Sequence, residues 1–125
     1  MSGKLRFVLD TNAVVSLLNG NREMAAQLEA AVYVGISIVT YLEFLAFDGL
    51  TDDDRKNFKQ FCSRVEIVPL THNDDLAERA LVLRTRHRLK LPDAIIGATA
   101  LCRKAIIITN DSHFSGISSL TIQAC

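Results

Sequence analysis

The sequence predicts an α/β fold around a mainly parallel β-sheet. Short β-branched runs alternate with longer stretches of helical period, the pattern left by strands joined through crossover helices. The 125 residues suffice for a single domain, 1–125, with one core. No repeat, low-complexity segment or internal linker interrupts the pattern.

Leu5 to Leu9 reads as the first strand, stopping at Asp10. Thr11 or Asn12 can cap a short helix to about Leu18, and Asn19 with Gly20 marks a turn. Asn21 can cap a helix carrying Met24, Ala25, Leu28 and Val32 at helical spacing, and Tyr33 to Ile38 suits a second strand. Thr40 is placed to open the next helix, with Leu42, Leu45 and Ala46 inward and Glu43 in the first turn. Thr51 ahead of Asp52, Asp53 and Asp54 is a helix start, because three acids face the positive end of the helix dipole. That helix reaches about Cys62, and Val65 to Val68 forms a third strand. Another helix begins near Asn73 with Leu76, Ala80 and Leu83 on one face. Pro92 suits the first position of a helix, where its missing N–H costs nothing, and Ala94 to Cys102 is apolar nearly all round, as in a buried helix. Ala105 to Thr109 is a core strand, and Leu120 to Ile122 a short last one.

A hydrophobic fraction of 49% excludes a disordered chain. No apolar run approaches the ~20 residues that cross a bilayer. Met1-Ser2-Gly3-Lys4 leads straight into the first strand, so the expectation is no signal peptide and a cytoplasmic location. Cys62, Cys102 and Cys125 show neither a CxxC pair nor zinc-like spacing with His72, His87 or His113, and read as free, mostly buried thiols. Fourteen basic and fourteen acidic residues cancel, which excludes a strongly basic nucleic-acid binder. Contact with nucleic acid then rests on local patches, or on metal held over an acidic site.

The chemistry lies in where the acids fall. Asp10 and Asp111 each follow a core strand, and ligands of open parallel sheets bind at the carboxyl ends of strands. Asp93 sits beside Pro92 at the start of an apolar helix, and Glu43 lies just after a strand among Leu42, Phe44 and Leu45. Taken singly, each has a structural reading: Asp93 as a first-turn helix acid, Asp10 and Asp111 as turn or capping residues, Glu43 as an exposed helix residue. Taken together, four carboxylates near one sheet edge with no Lys or Arg beside Asp10, Glu43 or Asp111 repel each other, and a bound cation resolves that economically. Oxygen ligands select a hard ion such as Mg²⁺ or Mn²⁺, which suits phosphodiester hydrolysis.

Four stretches, Val8 to Asn12, Thr40 to Phe44, Leu91 to Ile96 and Ile108 to Phe114, resemble the signature blocks of PIN domains, in order and across essentially the whole chain. The likeness is nearest to the VapC-type toxins of toxin–antitoxin pairs. It implies a three-layer α/β/α fold and an endoribonuclease using Mg²⁺ or Mn²⁺, with Asp10, Glu43, Asp93 and Asp111 as metal ligands and catalytic acids. Asn12 and Thr109 match polar positions that orient the acids or the metal-bound water. The fourth block departs from many relatives in placing His113, not an acid, just before its Phe. The resemblance also implies a homodimer and a VapB-like antitoxin lying in a groove near the active site, for which the helix around Met24, Ala25 and Leu28 and the stretch Phe44 to Phe47 are candidates.

Arg79, Arg84, Arg86, Arg88 and Lys90 lead towards Asp93, with Leu76, Ala80, Leu83 and His87 as a packed stripe between them. Arg86, Arg88 and Lys90 are candidates to hold an RNA backbone over the metal; a solvated helix face is the other reading. A haloacid-dehalogenase-type phosphatase is disfavoured because Asn12 stands where its second Asp belongs, and a receiver domain because no early acidic pair is present. The competing functional class is a non-catalytic PIN-fold module that binds RNA or protein.

Overall fold

A computed structural model describes residues 4–125. Met1 to Gly3, and with them the expectation drawn from the N-terminus, lie outside the described residues. The elements follow as β1 (Arg6–Leu9), α1 (Thr11–Leu18), α2 (Arg22–Ala30), β2 (Tyr33–Ser37), α3 (Ile38–Leu45) and α4 (Asp52–Cys62). Then come β3 (Glu66–Val68), α5 (Asp75–Arg86), α6 (Leu91–Cys102), β4 (Ile106–Ile108), a 3₁₀ turn at Ser112–Phe114 and β5 (Ile122–Gln123). The sheet has five strands in the order β3-β2-β1-β4-β5, all parallel.

Period-2 alternation sorts the strand side chains onto two faces. Phe7, Leu9 and Ile108 join a core with Ala13 and Val14 of α1, Met24 of α2, Phe44 of α3 and Phe58 of α4. Val8 and Ile107, one residue out of phase, join the opposite core with Leu76, Ala80 and Leu83 of α5 and the buried run Ala94–Ala100 of α6. Helices thus cover both faces, giving the three-layer α/β/α arrangement expected. The rings of Phe44 and Phe58 stack at 4.1 Å and tie α3 to α4.

Several boundaries differ from the sequence expectation. Asp10, not Thr11 or Asn12, caps α1. The β-branched run Ile38-Val39-Thr40 looks strand-like, but the Ser37 hydroxyl accepts the Val39 N–H at 3.0 Å and caps α3, whose first residue is Ile38, two before Thr40. Glu43 therefore lies past the first turn, and the inward residues are Thr40 and Phe44, with Leu45 half-buried against the same core as expected; Leu42 is 57% exposed and Ala46 is also exposed. In α2 only Met24 is fully buried; Ala25 faces solvent and Val32 lies beyond the helix, exposed. Pro92 takes the second position of α6. His87 is the exposed C-cap of α5, its N–H donating to Leu83, so it does not continue the packed stripe. Leu120 is buried in a turn ahead of β5, because Ile117 and Leu120 close over the α6 core. The three cysteines are free, as expected, but half-buried.

Candidate active site

The chain runs from β1 through β2 to the β3 edge, then returns to build β4 and β5 on the other side of β1. The strand order reverses between β1 and β4, and a crevice opens at the carboxyl ends of strands at such a point. Asp10 and Thr109 leave β1 and β4 there, side by side, with the Asp10 N–H donating to the Ile108 carbonyl at 3.2 Å.

Asp10 is only 6% exposed. One carboxylate oxygen accepts the Ala13 N–H at 2.8 Å, capping α1, and the other accepts the Thr109 hydroxyl. Burial pushes its carboxyl above the ordinary range; the bonds from Thr109 and Ala13 oppose this, and the charges of Asp111 and Glu43 add to it. Thr109, itself buried, also accepts the Asp111 N–H at 2.9 Å, so one hydroxyl spaces two acids. Asp111 caps the 3₁₀ turn: its Oδ1 accepts the His113 N–H at 2.9 Å and lies 2.8 Å from His113 Nδ1.

Asp93 projects from the first turn of α6, where Lys90 is the N-cap residue without a side-chain cap bond. Its carboxyl is also pushed up, by burial first and then by Asp111, Glu43 and Asp10, with His113 opposing. Glu43, exposed on α3, accepts a hydrogen bond from the Thr11 hydroxyl at 2.6 Å. The acids thus lie within electrostatic reach of one another, and among the described residues no Lys or Arg forms an ion pair with any of them.

Such a set fits a hard divalent ion. Asp93, Asp111 and His113 each offer a donor atom, all within 4.8 Å of one another, and the like charges of the acids add to the burial that raises the carboxyls of Asp10 and Asp93.

The remaining sequence candidates divide. Thr109 orients Asp10 directly. Asn12 lies exposed beside the site with no hydrogen bond to an acid among the described residues, so an orienting role for it finds no contact here. Arg79 is engaged by Asp75 at 2.7 Å and Arg84 donates to the Leu89 carbonyl at 3.2 Å. Arg86, Arg88 and Lys90 remain exposed along the connection from α5 to Asp93. The sequence marks Thr11 only as a candidate helix cap; its position next to Asp10 is the available signal for its contact with Glu43. Beside Glu43 a groove of about 440 Å³ is lined by Thr11, Asn12, Val15, Phe44, Phe47 and Leu50, among others.

The PIN-domain profile matches residues 7–120, and the chain belongs to the PIN-domain family. Among solved structures, it is similar to a chain of a toxin–antitoxin complex from Klebsiella pneumoniae at 33% identity and a TM-score of 0.75, covering 91% of this chain and 94% of that one. It is also similar to a chain of VapBC-5 from Mycobacterium tuberculosis, a member of the VapBC family of toxin–antitoxin systems, at 25% identity and a TM-score of 0.68, covering 96% and 98%. VapBC2 from Rickettsia felis, bound to a promoter DNA fragment, shares the fold at 21% identity and a TM-score of 0.79, covering 97% and 99%. A comparison with curated proteins finds no match. The neighbours agree with the VapC-like character carried by the four sequence blocks.

Proposed function

We propose that this chain is a metal-dependent endoribonuclease that hydrolyses RNA phosphodiester bonds, and that it is the toxin of a VapBC-type pair acting in the cytoplasm. The observation that carries the reading is the gathering of Asp10, Glu43, Asp93 and Asp111 at the β1/β4 reversal, with no Lys or Arg ion-paired to any of them among the described residues.

Asp10, Glu43, Asp93 and Asp111 would hold Mg²⁺ or Mn²⁺. When bound, such an ion compensates charge on the phosphoryl and leaving oxygens and makes water a better nucleophile. Asp10 is locked by Ala13 and Thr109, so its carboxylate keeps one orientation without a basic partner. The Thr11 hydroxyl donates to Glu43 and orients its carboxylate. Arg86, Arg88 and Lys90 would bind RNA phosphates, a contact that positions the strand without reading its bases. The apolar groove beside Glu43 supports docking of a VapB-like antitoxin segment, with Phe44 and Phe47 in its wall. The homodimer is part of the same proposal and rests on the family resemblance.

The test is RNA cleavage by purified protein with Mg²⁺ or Mn²⁺, against Asp10→Asn and added EDTA. Cleavage abolished by both treatments is the expected result. RNA binding that persists without any cleavage, unaffected by Asp10→Asn, would turn the reading towards a non-catalytic binding module.

A further inference from the structure

Among the described residues, His113 is the one nitrogen donor grouped with the carboxylates of Asp93 and Asp111. Its backbone is held in place: the His113 N–H donates to Asp111, and the next residue, Phe114, is fully buried against the α6 core. The ring itself is open, with the side chain 69% exposed, so packing does not explain its orientation towards Asp111.

We propose that His113 is a metal ligand, joining Asp93 and Asp111 in a mixed nitrogen–oxygen site that favours Mn²⁺ over Mg²⁺. The inference rests on the metal-dependent reading above and adds to it a donor that the four acids do not supply. The 2.8 Å between Asp111 Oδ1 and His113 Nδ1 is close to the separation of neighbouring ligands on a six-coordinate ion, about 3 Å for bonds near 2.1 Å. Asp93 completes a set of three donors within 4.8 Å. Asp111 Oδ2 has no internal donor among the described residues, leaving it open to the same ion. Ligation through Nδ1 uses the neutral ring with its proton on Nε2. Mg²⁺ keeps oxygen ligands and much of its water, whereas affinity for nitrogen rises along the first-row ions, so an imidazole separates the two.

The experiment is metal binding, with no cleavage assay needed. Mn²⁺ and Mg²⁺ are titrated calorimetrically into wild type, His113→Ala and Asp93→Asn, and pulsed electron paramagnetic resonance of the Mn²⁺-loaded proteins reads nitrogen coupling. The expected result is imidazole nitrogen coupling in wild type that disappears in His113→Ala. Mn²⁺ affinity then falls about tenfold in His113→Ala while Mg²⁺ affinity changes less than about twofold. Asp93→Asn weakens both ions. Wild type that binds Mn²⁺ without nitrogen coupling, or coupling that survives His113→Ala, overturns the inference and leaves the metal-dependent reading standing. Wild type that binds neither ion overturns both.

Discussion

Thr109 shows how much of the site depends on one small side chain. Its hydroxyl donates to Asp10 and accepts from the Asp111 backbone, with Thr109 and Asp10 both buried. Thr109→Val is nearly the same shape but leaves both partners unsatisfied, so it should cost about 1–3 kcal/mol in urea denaturation and lower cleavage; Thr109→Ser should restore most of both. The acids themselves act in the other direction. The carboxyls of Asp10 and Asp93 are raised in the folded protein, so the folded state holds its protons more tightly than the unfolded chain. No penalty exists below the ordinary Asp value of 3.8; it develops as pH rises through the raised folded value and is complete above it. Asp93→Asn should therefore raise the melting temperature in EDTA at pH 7 by a few degrees and remove the further rise that Mn²⁺ or Mg²⁺ gives wild type. An unchanged melting temperature in EDTA would show that repulsion at this edge costs the fold little.

At the scale of elements, what could be read depended on how local the signal was. The start of α4 was legible because it is made within four residues: Thr51 and Asp54 close a reciprocal capping box, with the hydroxyl accepting the Asp54 N–H and the Asp54 carboxylate accepting the Thr51 N–H, each at 3.1 Å. The start of α3 was not, because the Ser37 cap and burial of Phe44 override the strand preference of Ile38 and Val39. The end of α6 carries a local cost. Lys104 has φ 52°, closing the helix with the Ala105 N–H donating to Ala100 at 2.9 Å. A side chain in that conformation is strained, so Lys104→Gly should stabilise the protein by about 0.5–1 kcal/mol, read as a higher urea midpoint at unchanged slope. Loss of stability instead would mean that the Lys104 side chain makes a contact worth more than the relieved strain.

Across the molecule, the two ends of the sheet are built differently. At the amino ends of the strands, Arg103 grips Glu66 at 2.8 and 3.1 Å, Tyr33 donates to the same carboxylate, and the Arg6 guanidinium lies 4.5 Å from the Tyr33 ring centre. Tyr33 can reach along the strand because Gly35, two residues on, has no side chain where the phenol lies. The Arg103 guanidinium holds the Glu66 carboxyl below its ordinary value of 4.5. Its contribution is therefore complete above that value and is lost as pH falls through the lower folded value. Glu66→Gln should cost about 1 kcal/mol at pH 7, a modest figure because the pair is partly exposed, and the difference from wild type should vanish in strong acid. A difference independent of pH would assign the loss to packing. The opposite end of the sheet, at the carboxyl ends, concentrates like charge instead.

The sequence by itself determined the fold class, the alternation of strands and helices, and the placing of Asp10, Asp93 and Asp111 at element ends, because period, capping and strand termination are written within a few neighbouring residues. The position of Asp10 was legible this way, directly after Phe7-Val8-Leu9. Tertiary structure alone decided which acids meet and what holds them. Thr109 and Asp10 are 99 residues apart in sequence, and Thr11 and Glu43 are 32 apart. Placing β4 beside β1 makes the first pair, packing α3 against α1 makes the second, and closing the turn before Phe114 brings His113 to Asp111. The first two contacts have no periodic signature, because each is set by how separate elements pack in space; the third is local, between residues two apart in one capped turn.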